Sequence, residues 1–165
     1  MSETITNIKE AFKCFEGALK TASSKLSQGN QISVERMKTL DKFTLTHGRG
    51  TWGLLDSGSD YTRKEEIKGG PVFMKRSLLI GVVSVIRFLD NPKAGIENYD
   101  EMMLPSEYAE AAIDALTGIE VESTLPEYQR KIIPVKTELV EETDGIWKYL
   151  TTFMVPMDYT EVQYR

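Results

Sequence analysis

Cysteine and histidine are almost missing from this chain. Cys14 is the only cysteine and His47 the only histidine in 165 residues. A lone cysteine cannot form a disulfide within the chain, and the simplest setting for it is a reducing, cytoplasmic one. A Cys/His zinc site cannot be built from one of each. A Ser-His-Asp triad would have to use His47. Long apolar runs are missing too. The best, residues 78–89, covers 12 positions and includes Arg87, whereas a spanning helix needs about 20. No transmembrane segment is therefore expected. The opening MSETITNIKE has no basic region leading into an apolar one, so no secretory signal is expected either. No G-x-x-x-x-G-K-[ST] loop occurs, which excludes P-loop phosphate chemistry. Glu97, Asp100 and Glu101 have no diagnostic ligand spacing, which leaves a carboxylate-held metal open; no metal and no cofactor is assigned.

Charge is present in both signs but unevenly placed. Residues 1–50 hold 8 Lys/Arg and 5 Asp/Glu, whereas residues 93–165 hold 6 and 15. A basic front joined to an acidic back can attract partners, including other copies of the same chain. Overall acidity weighs against a general nucleic-acid binder, although the 63–76 basic stretch keeps that alternative open.

Periodicity defines the first element. Ile5, Ile8, Phe12, Phe15, Leu19, Ala22 and Leu26 step by three and four, a heptad seam on an amphipathic helix. Thr4 or Thr6 is the expected cap, and Gln28-Gly29-Asn30 the stop. Such a stripe packs on the protein's own core or docks on a second copy. Met37, Thr39, Phe43 and Leu45 alternate as a short strand ending at the glycine loop would, and a short helix over residues 34–40 is the alternative. Residues 73–89 place Met74, Leu78, Gly81, Val82, Val85 and Leu89 at helical spacing, and their length favours a second helix over a strand. A third helix is expected from Ser106, with Glu107 and Glu110 near its positive end and Gly118 beyond Leu116.

Alternation takes over near the C-terminus. The runs on either side of Thr143-Asp144-Gly145 predict a hairpin, because Asp-Gly suits the mirror-image turn that such hairpins use. The register expected from that turn sets Glu141 opposite Lys148, Leu139 opposite Leu150 and Val135 opposite Met154. A last strand is expected over residues 159–164. The predicted fold is α+β in one domain, residues 1–165. An N-terminal helix and two further helices pack on a C-terminal antiparallel sheet, with a charged glycine-rich loop at 46–70 and an acidic loop at 92–104.

The stretch THGRGTWGLLDSGSDYT, residues 46–62, combines two signatures. Gly48, Gly50 and Gly53 have the G-x-G-x-x-G spacing, but no helix opens directly after Gly53, as a dinucleotide loop requires. Leu54-Leu55-Asp56-Ser57-Gly58, ending in Thr62, resembles the active-site strand and turn of retroviral-type aspartic proteases. That resemblance implies Asp56 as a catalytic carboxylate, with a second subunit supplying its partner. It covers only about residues 45–62. Where that family continues with an apolar strand, this chain has Arg63-Lys64-Glu65-Glu66.

No complete catalytic constellation emerges. The function expected is non-catalytic: a self-associating structural or assembly protein, matrix- or scaffold-like and of a kind found in viruses. Self-association is expected through Ile5, Ile8, Phe12, Phe15 and Leu19. Arg49, Trp52, Arg63, Lys64, Lys68, Lys75 and Arg76 are the residues expected to contact an anionic partner, either a nucleoprotein or a peripheral membrane surface.

Overall fold

The computed structural model describes residues 5, 7–40, 48–66, 72–88, 102–121 and 130–162; for 62–66, 72–75 and 158–162 it describes the backbone only. The first helix, α1 (Ile8–Ser24), follows the heptad seam. Its cap is Asn7 rather than a threonine, with Asn7 Oδ1 accepting from the Glu10 N–H at 3.0 Å. This satisfies one of the four donors that a helix start leaves without an internal acceptor. A short 3-10 turn, Gln28–Asn30, ends the segment where stop residues were expected. The second helix, α2 (Pro105–Leu116), begins with proline in its first turn. The Glu107 carboxylate accepts from the Leu104 N–H at 2.8 Å.

The sheet overturns the three-helix arrangement. Among the described residues there are two α-helices and five strands: β1 (Ser33–Arg36), β2 (Gly50–Glu66), β3 (Val72–Arg87), β4 (Ile133–Thr143) and β5 (Ile146–Val162). Their spatial order is β1-β2-β3-β5-β4. Strands β1 and β2 run parallel and all other neighbours antiparallel. The sheet is therefore mixed and draws on both halves of the chain.

The run read as a second helix is the central strand. Leu78, Ile80, Val82 and Ile86 of β3 join one core cluster with Phe15 and Leu19 of α1 and Tyr108 and Leu116 of α2. Val83 and Val85 point the other way, into a smaller cluster with Met37. A strand buried on both faces has no polar side, so its apolar run is continuous and can coincide with helical spacing. The deciding signal was β-branching at Val82, Val83, Val85 and Ile86, which suits the pleated surface.

The glycine-rich loop is also a strand, since β2 runs unbroken from Gly50 to Glu66. A Cβ at Gly53 would collide with the Met37 thioether, so that glycine makes room for the neighbouring segment. Gly58, at φ 93°, supplies the left-handed residue in an irregularity between Asp56 and Ser59.

Residues 37–40 do not form the expected strand. They cross the back of the sheet instead. The Met37 N–H donates to the Leu54 carbonyl at 2.9 Å, and Lys148 Nζ on β5 donates to the Leu40 carbonyl at 3.3 Å. A parallel pair needs such a crossover connection, and here it covers Val83 and Val85. Phe43 and Leu45 lie outside the described residues, as does most of the acidic loop.

The hairpin sits where Asp144-Gly145 predicted, with Asp144 at φ 53° and Gly145 at φ 78°. Thr143 pairs with Ile146 and Glu141 with Lys148. Beyond that point the ladder departs from the simple register. Leu139 faces Tyr149, and Ile133 rather than Val135 faces Met154, because irregularities intervene between Leu139 and Glu141 and between Pro134 and Lys136. The two runs expected at the C-terminus are one strand, since β5 continues through Pro156 to Val162.

Candidate functional site

The predicted self-association residues lie inside the chain's own core. Phe15 and Leu19 are fully buried, and Ile5 and Phe12 nearly so, while Ile8 packs half-buried against the same cluster. The Phe15 ring meets Phe153 of β5 edge to face at 5.7 Å. The Arg36 guanidinium lies over the Phe12 ring and donates to Glu16 at 2.7 Å. The heptad stripe is therefore satisfied within one molecule.

Two residues of the predicted anionic-partner set are engaged within the chain, Trp52 buried and Arg49 half-buried. Trp52 is fully buried and donates from Nε1 to the Tyr108 carbonyl at 3.2 Å. Arg49 is committed in three directions: to the Met103 carbonyl at 2.6 Å, the Arg87 carbonyl at 2.8 Å and the Tyr108 hydroxyl at 3.3 Å. Tyr108 in turn donates to the Asn30 carbonyl at 2.7 Å. Burial pushes the Tyr108 phenol up from its ordinary pKa, and the Arg49 hydrogen bond and charge oppose that shift. This network locks the start of β2 to α2 and uses the fork geometry of arginine to do so.

The remaining basic residues are partly gathered by the strand register. Tyr61 pairs with Arg76, Thr62 with Lys75 and Arg63 with Met74, which brings Arg63, Lys64, Lys75 and Arg76 to one end of the β2–β3 ladder. Asp60, Glu65 and Glu66 share that end, so it is not uniformly positive. Arg76 Nε donates to Ser59 Oγ at 3.2 Å. Lys68 lies outside the described residues.

Asp56 does not have the setting of a catalytic carboxylate. Its side chain is spent on the local turn, accepting from the Gly58 N–H at 2.9 Å, and the residue is exposed. Among the described residues, no group of three or more His, Cys, Asp or Glu side chains could hold a metal ion. No helix among them is long and apolar enough to cross a membrane.

Two surface features remain. One is an open groove of about 810 Å³ between α1 and α2, floored by Ala18, Ala22, Ala111 and Ala115, with Lys13 and Asp114 among its lining residues. The other is β4. As the outermost strand it has β5 on one side and, among the described residues, no strand on the other. Ile133, Val135, Leu139 and Val140 are 42, 58, 50 and 39% exposed, four of the six large apolar side chains left exposed in the described part of the chain. Their exposure on one edge strand singles out the site, because scattered exposed apolar residues are ordinary but a cluster along an open edge is not.

No family model and no curated protein matches the chain.

The edge also carries polar contacts. Lys136 and Glu138 form an ion pair at 3.1 Å along the strand. Thr137 Oγ1 lies 3.0 Å from Thr151 Oγ1 across the ladder. Near the turn, the Lys148 ammonium and then the Thr143 hydroxyl hold the Glu141 carboxyl below its usual range. Expectations for the hairpin treated Val135 and Leu139 as paired within it. The signal they missed was that a strand with apolar and charged residues on both faces has no polar face to give to water.

Proposed function

We propose that this chain is a non-catalytic structural protein that assembles with copies of itself through the outer edge of its sheet. The reading rests on one observation: β4 leaves Ile133, Val135, Leu139 and Val140 exposed on a strand whose outer edge has no neighbouring strand among the described residues. Open edges invite pairing with another chain. The apolar face of α1 is already packed into the chain's own core and offers no competing surface. The opposite charges of the front and back thirds then serve to orient approaching copies. A cytoplasmic setting, in which Cys14 stays reduced, belongs to the same proposal.

The end of the β2–β3 ladder is the place for an anionic partner, a nucleoprotein or a membrane surface, because the register gathers Arg63, Lys64, Lys75 and Arg76 there. Arg63→Glu with Lys64→Glu should weaken retention on RNA or on anionic vesicles. Unchanged binding would make that end an ordinary solvated surface.

Light scattering on a sizing column tests the assembly reading. Mass should rise with protein concentration, and Val135→Lys with Leu139→Lys should return it to that of one chain. A single-chain mass for the unaltered protein at every concentration and salt level would sink the proposal.

A further inference from the structure

We infer that β4 pairs with β4 of a second copy, antiparallel, about a two-fold axis at Thr137. The inference rests on the assembly reading above and adds the partner strand, its direction and its register.

The pairing length follows from the irregularities. They lie between Pro134 and Lys136 and between Leu139 and Glu141, which leaves Lys136 to Leu139 as the regular segment of β4. A short bulge-free segment flanked by a proline and two irregularities cannot recruit strands at random. The 3.0 Å contact between the Thr137 and Thr151 hydroxyls fits the close, non-hydrogen-bonded kind of antiparallel pair. In such a pair the residue's own N–H and C=O turn away from the neighbouring strand. Thr137 therefore directs its N–H and C=O outward, as does Leu139 two positions on. These are the groups that an added strand would need.

Charge then selects the register. With the axis at Thr137, Lys136 faces Glu138 of the other copy and Glu138 faces its Lys136. Val135 faces Leu139, and Leu139 faces Val135. Moving the axis by one residue sets Lys136 against Lys136 or Glu138 against Glu138, and like charges directly opposite are unfavourable. Placing it at Val135 or Leu139 pushes an irregular position into the centre of the ladder. The Lys136–Glu138 pair already made along the strand becomes an alternating square of four charges. Both copies contribute the same patch, as a closed two-fold dimer requires. The charges and irregularities that discourage indiscriminate edge pairing are thus complementary in this one arrangement.

Cysteine crosslinking in a Cys14→Ser background reads the register directly. Thr137→Cys should give a covalent dimer under mild oxidation, since facing residues across an antiparallel pair fall within the Cα range of a disulfide. Leu139→Cys alone should not, whereas a mixture of Val135→Cys and Leu139→Cys chains should give the mixed dimer. Lys136→Glu and Glu138→Lys should each weaken association about tenfold, and the double swap should restore it. Equal crosslinking at all positions, or no restoration by the swap, would overturn the register. Association that persists without Thr137→Cys crosslinking would overturn this inference but leave the assembly reading standing. A single-chain mass under all conditions would overturn both.

Discussion

Strands β3 and β4 belong to one sheet and are both rich in apolar side chains, yet they meet opposite fates. In β3, Leu78, Ile80, Val82, Val83, Val85 and Ile86 are all fully buried. In β4, Ile133, Val135, Leu139 and Val140 are all exposed. β4 also carries Lys136, Glu138, Glu141 and Glu142, whereas residues 77–86 of β3 carry no charge, but apolar content alone does not separate them. Position in the strand order does: β3 is central, with helices on one face and the 37–40 segment on the other, whereas β4 is the edge. The same apolar residue types are buried in the core in one strand and left exposed in the other.

The sharpest way to break this comparison is a pair of substitutions. Phe15→Ala empties a fully buried site in the helix-covered layer and should cost about 3–5 kcal/mol in urea unfolding. Leu139→Lys should leave stability within about 0.5 kcal/mol while reducing the mass of the assembly. A large stability loss from the second variant would show that the edge is part of the monomer's core. Next in size, Gly53→Ala should cost about 1–3 kcal/mol by overpacking against Met37 on the covered back of the sheet. Met37→Ala in the same chain should recover part of that loss, as a double-mutant cycle would show.

A smaller effect is one of pH. Burial raises the Tyr108 pKa above its ordinary 10.0, so the folded state holds that proton more tightly than the unfolded chain does. This contribution is fully present below the unfolded pKa and is lost as pH rises from about 10 toward the folded value. Alkaline unfolding curves should show the loss in the unaltered protein, and Tyr108→Phe should remove that component of the slope. Dimer mass should not follow it, because Tyr108 lies on the helix side.

Much of the architecture was legible where a single period dominates. The α1 seam is helical because Ile8, Phe12, Phe15 and Leu19 repeat on one face, and Asp144-Gly145 marks its hairpin because few other residues accept that turn. The centre of the sheet was not legible. Burial on both faces of β3 erased the alternation that identifies strands. Gly50 and Gly53 suggested a loop, whereas their small size accommodates Ile86 and Met37 in close packing. The candidate site was hidden for a related reason. Exposure of β4 depends on which strand ends the sheet, and strand order is a long-range property that spacing along the chain does not encode.

Amide hydrogen exchange of β4, followed at low and high protein concentration, tests the central claim most directly. The outward amides of Thr137 and Leu139 should gain protection as concentration rises, with α1 and β3 unchanged. Protection that appears on α1 or in the groove beside α2, while β4 stays unprotected at every concentration, would contradict it.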